Sequence, residues 1–394
     1  MRRPNLMIDC LRAAAALLVV IGHIRALVFV DYAASRHSAV DKAFYAVTGL
    51  GRQAVYLFFA LSGFWVGGWV VRRLQAGDFS WRSHLVRRLS RLWTVLVPVL
   101  VLVLVVDLCG RWLFGDTPFY AGTYTFNGVA PRSDATHLSA QTFLGNVLFL
   151  QGSWVHTFGT DGPLWSLAYE FWYYLLFPLL ATLILARSVG KAAGFAAAIA
   201  LCGLAAGATA LTLFPAWLLG VAAYAVARSQ RDRLERLGAR LRRWLQVAGF
   251  AAAVVACVVM HESGAPDWLS ATAVSLVAAC FLVVASVEGE SRRARPLLGL
   301  GSRIAQFSYT LYAVHLPLLL FACAAIDRSG RQRALGADSV GFALLLLVGV
   351  TTCAWLISLS SERHTARVRL WLDGVTDRTR PSRERHQISV IDVD

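Results

Sequence analysis

The first apolar run of the chain carries an arginine and a histidine, Arg12 and His23, in Ile8-Asp9-Cys10-Leu11-Arg12, then ten residues, then His23. On a helix this spacing falls about 20° past three full turns, so the two side chains share a face roughly 16 Å apart along the axis. Asp9 lies one turn before Arg12 and can pair with it. An ionisable side chain inside a membrane is costly and marks function by default. Imidazole exchanges a proton near neutral pH, which makes His23 a candidate general base. The plainer reading is an interfacial Asp–Arg pair and a histidine reaching outwards for water. It accounts for each residue singly but not for their common face.

Two later runs carry polar stripes of the same kind. In Leu164-Trp165-Ser166-Leu167-Ala168-Tyr169-Glu170-Phe171-Trp172-Tyr173-Tyr174, the residues Ser166, Glu170 and Tyr173 fall at i, i+4 and i+7 on one helix face. An interfacial aromatic belt would explain the tryptophans and tyrosines but not the glutamate. In Ser308-Tyr309-Thr310-Leu311-Tyr312-Ala313-Val314-His315, a second stripe joins Ser308, Tyr312 and His315. Hydroxyls and histidines also serve helix packing in membranes, so this stripe is open to either reading. Between residues 72 and 91 stand Arg72, Arg73, Arg82, His84, Arg87, Arg88 and Arg91. That density exceeds what membrane orientation needs, and guanidinium binds phosphate bidentately. A phosphate-rich ligand and anionic lipid head groups explain it equally well.

The elements that must hold these residues follow from composition. The chain has 394 residues, of which 57% are hydrophobic and 15% charged. Soluble domains carry about 25% charged residues, so this chain lacks the groups to cover a water-facing surface. Its apolar runs are long enough to cross a hydrocarbon core of about 30 Å. The expected spans are 7–30, 50–71, 92–114, 164–186, 192–210, 212–227, 244–260, 269–287, 304–325 and 339–358. The fifth and sixth are short and meet near Pro215. The fold class is therefore all-α, a polytopic bundle of about ten transmembrane helices over residues 1–360. A polar cytoplasmic tail, partly mobile, is expected over 361–394.

The net charge of +15 invites a nucleic-acid reading, but its placement argues for membrane topology. With alternating loops, 28 of the 38 Lys and Arg fall on one side, which puts both termini in the cytoplasm by the positive-inside rule. No nucleic-acid partner is expected. Arg2 and Arg3 ahead of an apolar run also resemble a secretory signal, but the run is too long and Arg12 interrupts it. The seven cysteines stand singly in or beside apolar runs, so neither a disulfide framework nor a metal site is expected.

In their order along the chain these features resemble the acyltransferase 3 family of bacterial membrane acyltransferases. Arg12 and His23 match its opening helix, and Leu57-Phe58-Phe59-Ala60-Leu61-Ser62-Gly63-Phe64 matches its phenylalanine-rich second helix. Arg87, Arg88, Arg91 and Pro98 follow as its basic inner segment. Trp165, Ser166, Leu167, Glu170, Tyr173, Tyr174 and Pro178 match its central motif. Ser308, Tyr309, Leu311, Tyr312, His315 and Pro317 match its late one, and Glu362 corresponds to a terminal glutamate. Phe171 stands where many members have a second glutamate, so a carboxylate pair is not expected.

The resemblance implies transfer of an acyl group, acetyl first, from cytosolic acyl-CoA to a hydroxyl. The acceptor would be an exopolysaccharide, a lipopolysaccharide or a similar glycan at the extracytoplasmic side, in a bacterial cytoplasmic (inner) membrane; some members acylate antibiotics instead. Expected partners are acyl-CoA, a glycan or glycolipid acceptor, membrane lipids and polysaccharide-synthesis machinery. Catalysis would fall to His23, either as base or as acyl carrier, with Glu170 orienting its imidazole. Arg12, Arg87, Arg88, Arg91 and Ser62 would hold the donor. Trp165, Ser166, Tyr173, Tyr312 and His315 would hold the acceptor, with no metal. Two rival classes share the intramembrane charges: a proton-coupled transporter and a glycan-handling scaffold without catalysis. The sequence shows no repeated halves of the sort carriers use.

Overall fold

A computed structural model describes residues 6–122, 124, 126, 129, 137–287 and 295–377. Among these residues every regular element is helical, and ten segments are long and apolar enough to cross a membrane. The expected all-α membrane bundle is what the chain forms.

The chain opens with α1 (Leu6–Val28), α2 (Ala39–Thr48) and α3 (Gly51–Ser62). A π-helical turn (Gly63–Gly67) leads into α4 (Gly68–Ala76), and the long α5 (Trp81–Phe114) and short α6 (Ala140–Val147) follow. Then come α7 (Trp165–Ile184), α8 (Val189–Ala206), α9 (Ala208–Ser229), α10 (Arg231–Arg236) and α11 (Ala239–Glu262). The remainder is α12 (Asp267–Ala285), α13 (Arg295–Ala305), α14 (Ser308–Ile326), α15 (Ala337–Ser360) and α16 (Thr365–Asp377).

α1 packs against α3, α13, α14 and α15, so its polar stripe lies in the interior of the bundle. Small residues allow this: Ala15 and Ala16 are fully buried, with Leu11, Val19 and Val20 beside them. α8 is its opposite, a peripheral helix on which only Ala206 is buried. Its outward alanines and leucines suit lipid, where apolar surface needs no cover.

Three boundaries differ from the sequence expectation. The basic stretch 72–91 is not a loop. α4 runs to Ala76, Gly77 caps it with φ 72°, and the Ser80 hydroxyl accepts from the Ser83 N–H to start α5. Arginine is a good helix former, and a reading based on hydropathy stops at the first charges. Arg87, Arg88 and Arg91 therefore stand on the opening turns of a rigid helix. Secondly, the fifth and sixth spans part at Gly207 rather than near Pro215. Gly207 adopts φ 83°, a conformation that favours glycine, whereas Pro215 lies within α9. Membrane helices tolerate such prolines because neighbours satisfy the freed carbonyl. Thirdly, the single span expected over 50–71 is part of a longer helical stretch over residues 39–76 that includes the π-helical turn.

Part of the expected tail is ordered: α16 lies along α5, and an Arg82 guanidinium N–H donates to the Asp373 carbonyl at 2.9 Å. Residues 378–394 of that tail lie outside the described residues, as do 1–5 and 288–294 of the basic segments.

Candidate active site

Two polar clusters occupy the interior, one at each end of the Arg12–His23 face. At the Arg12 end, Arg12 Nε donates to Ser308 Oγ at 3.1 Å, and a second guanidinium N–H donates to the Ala305 carbonyl. These bonds fasten α1 to the junction of α13 and α14. Asp9, expected to pair with Arg12, instead accepts from Ser302 Oγ at 2.9 Å. Arg91, Glu362, Asp9 and Glu170 lie within electrostatic reach of Arg12. Glu362 accepts from Thr310 Oγ1 at 2.9 Å and from the Thr310 N–H at 3.3 Å, a carboxylate set at the first turn of α14 where the helix dipole favours it.

The same cluster extends through α7. The Tyr174 hydroxyl donates to Glu170 Oε1, and Ser62 Oγ donates to the Tyr174 hydroxyl at 3.3 Å. Trp217 Nε1 in turn donates to Ser62 Oγ at 3.1 Å. The Arg88 guanidinium lies 5.8 Å from the centre of the Tyr174 ring, and its Nε is buried with no hydrogen bond. Arg91 is exposed while remaining close to Arg12 and Glu362, so it stands where the cluster opens. Arg12, Arg88 and Arg91 thus stand among Glu362, Asp9 and Glu170, and the exposed Arg91 is where a polyanion could meet the group.

At the other end, His315 Nε2 and His23 Nδ1 approach to 3.2 Å, with ring centroids 4.9 Å apart. His23 Nδ1 also lies 2.9 Å from the Val19 carbonyl, and His315 Nδ1 lies 2.6 Å from the Tyr312 carbonyl. His315 is 0% exposed, whereas His23 is only half-buried. The Tyr312 hydroxyl donates to the Pro163 carbonyl at 2.9 Å and accepts from Ser166 Oγ at 2.6 Å. α1, α7 and α14 therefore meet at this end through one continuous group of polar side chains.

The expected site residues divide accordingly. Arg12, Arg88, Arg91 and Glu170 are gathered at one end; His23, His315, Tyr312 and Ser166 are gathered at the other. Glu170, expected to orient the imidazole, has no hydrogen bond to His23. Its carboxylate turns one helical turn along α7 to Tyr174, towards the arginines. Arg87 is separate: it reaches Ser83 Oγ at 3.3 Å and lies over the Trp69 ring. Tyr173 donates to the Ala210 carbonyl at 2.7 Å, bracing α7 against α9, and its ring borders the Arg12 end only through Trp217 at 6.2 Å. Ser62 has its hydroxyl engaged by Tyr174 and Trp217, and Trp165 packs edge-on against Phe59 and Tyr169.

Two buried carboxylates escape a reading by helical stripes. Asp107 accepts from the Thr160 N–H at 2.7 Å and from Thr160 Oγ1 at 2.8 Å. Asp161 is fully buried, and neither carboxylate oxygen has a hydrogen bond. Asp107 sits near the end of a long apolar run and Asp161 just before a helix start, where both look like ordinary interfacial polar residues. Among the described residues, no group of three or more His, Cys, Asp or Glu is arranged to hold a metal ion.

Comparison with known proteins identifies the family. An uncharacterized protein of Haemophilus influenzae is 29% identical over 131 residues, which cover 32% of this chain and 48% of that relative. The match thus spans about half the length of the relative. No solved structure matches. The family described as an acyltransferase domain matches residues 5–359, nearly the whole chain. With ten apolar helices among its described residues and two interior polar clusters, the chain belongs to the acyltransferase 3 family.

Proposed function

We propose that this protein moves an acyl group, acetyl first, from cytosolic acyl-CoA to a hydroxyl of a surface or secreted glycan on the far side of the bacterial cytoplasmic membrane. The observation that carries the reading is the pairing of two unlike clusters along one helix. A cationic group opens at Arg91, and a half-buried imidazole with no hydrogen bond to its Nε2 stands about 16 Å away along α1. CoA brings phosphates for Arg12, Arg88 and Arg91, with the unpartnered Nε of Arg88 ready to donate. Its extended thiol arm would carry the thioester towards His23.

A hydroxyl needs to lose its proton to attack a thioester at neutral pH. His23 Nε2 accepts that proton as the oxygen bonds to the acyl carbon. The C–S bond then breaks, and the imidazolium returns the proton to the thiolate, giving an ester and free CoA thiol. Tyr312 and Ser166, beside the histidines, supply hydroxyls that suit a sugar acceptor. Glycan and glycolipid acceptors, neighbouring lipids and polysaccharide-synthesis machinery are the partners this reading requires.

The test compares surface glycans from cells with and without the protein by mass spectrometry, with thiol release from acetyl-CoA measured in their membranes. Loss of O-acetyl mass together with loss of thiol release supports the reading. Unaltered glycans and no protein-dependent thiol release would reject it in favour of a carrier or scaffold.

A further inference from the structure

The geometry points to His315 as the residue that positions His23 and holds it in the tautomer a general base needs, an inference that rests on the acyl-transfer reading above. A backbone carbonyl only accepts, so the 2.6 Å approach of His315 Nδ1 to the Tyr312 carbonyl places a hydrogen on that nitrogen. A neutral His315 then has a bare lone pair on Nε2. That lone pair faces His23 Nδ1 at 3.2 Å, and the Val19 carbonyl faces the same nitrogen at 2.9 Å. Two acceptors converge on His23 Nδ1, so the hydrogen of that ring sits there. The lone pair of His23 is left on Nε2, which no hydrogen bond engages.

Burial separates the roles. His315 is 0% exposed and has both ring nitrogens engaged, while His23 is intermediate in burial and has only its Nδ1 engaged. His23 is therefore the ring that meets the acceptor, and His315 stands behind it. When His23 Nε2 takes the hydroxyl proton, the new imidazolium donates through Nδ1 to the neutral Nε2 of His315 and to the Val19 carbonyl. The two rings cannot comfortably hold a charge each at this distance, so His315 serves as a neutral acceptor. A carboxylate serves the base in this way in hydrolase triads. The other groups acting on the pair are Arg25 on α1 and Tyr312 on α14, whose ring centre is 5.9 Å from that of His315. Neither is an anion, and neither supplies the acceptor that His315 does.

The test compares His315→Phe, which fills the volume without an acceptor, and His315→Gln, which restores one, in purified full-length protein. Acetyl transfer is measured against pH, alongside acetyl-CoA binding and thermal unfolding. His315→Phe is expected to bind acetyl-CoA normally and to lose transfer by about tenfold or more, on the scale of other residues that orient a reacting ligand. The acid limb of its pH profile should move to lower pH, because the imidazolium of His23 has lost an acceptor. His315→Gln should recover part of the rate. A folded His315→Phe protein with unchanged rate and profile overturns the inference while leaving acyl transfer by the wild type intact. A wild type that transfers nothing from acetyl-CoA rejects the acyl-transfer reading instead. The positioning claim is then decided by nitrogen-15 spectra of histidine-labelled protein: hydrogen on Nδ1 of both rings is expected, and hydrogen on Nε2 of His23 overturns it.

Discussion

Gly220 on α9 lies so close to α3 that a Cβ there would stand 2.0 Å from the Ala60 carbonyl oxygen and 2.7 Å from the Phe64 nitrogen. Both neighbours are backbone and have no rotamer to move aside. Comfortable contact begins near about 3.5 Å, so Gly220→Ala requires α3 and α9 to part by about 1.5 Å. Overpacking of this kind costs about 1–3 kcal/mol, and rigid neighbours place the cost at the upper end. Gly349 on α15 is the control, since a Cβ there meets nothing within 4 Å. There alanine should stabilise the helix by about 0.5–1 kcal/mol. The separation would also stretch the bond from Trp217 to Ser62, now 3.1 Å, beyond hydrogen-bonding range. Tyr174 and Glu170 would lose their anchor with it. Thermal unfolding in detergent and acetyl transfer should therefore both suffer in Gly220→Ala and neither in Gly349→Ala. Equal stability and equal transfer in the two variants would refute the close approach of α3 to α9.

Other consequences can be checked singly. Arg88→Ala and Arg12→Ala should weaken acetyl-CoA binding, more visibly at low salt, where phosphate contacts are least screened; unchanged affinity in titrations would assign both arginines to topology. Glu170→Gln should impair donor binding more than the chemical step, because its carboxylate lies among the arginines; a loss confined to the chemical step would contradict that placement. Asp327, in the turn after α14, accepts from Ser329 Oγ and pairs with Arg333 at 2.6 Å, and these partners hold its carboxyl below the ordinary range. Its stabilisation is therefore present above an ordinary carboxylate pKa of about 3.9 and fades as pH falls through the lowered value. Asp327→Asn should lower the unfolding temperature at pH 7 and converge with wild type in stronger acid; a gap independent of pH would dismiss the pair. In a cysteine-depleted background, a cysteine replacing Asp78 should resist an impermeant thiol reagent in intact cells, and one replacing Ser329 should react. The reverse pattern would invert the topology.

The helical stripes were legible because period and chemistry coincide. Arg12 and His23 share a face by spacing alone, and Ser308, Tyr312 and His315 do the same on α14. What spacing could not give was which stripe meets which. Glu170 belongs with the arginines because α7 turns it towards Tyr174, a residue four positions along its own helix and therefore unremarkable in sequence. The His23–His315 contact joins positions 292 residues apart, and no local rule carries that distance. The helical ends of the 72–91 stretch were hidden for a different reason: its charges break the hydropathy signal without breaking the helix. Asp161 was hidden by context, since a carboxylate next to glycine and proline reads as a loop whatever its burial.

The step on which the proposed reaction turns is removal of the acceptor proton by His23. Its most direct test is transfer of labelled acetyl from acetyl-CoA into the glycan fraction, in membranes carrying wild type or His23→Ala. The variant should fold and bind acetyl-CoA but transfer on the order of 10² times more slowly or worse, the usual scale for loss of a general base. A folded His23→Ala protein that transfers acetyl at the wild-type rate would contradict it.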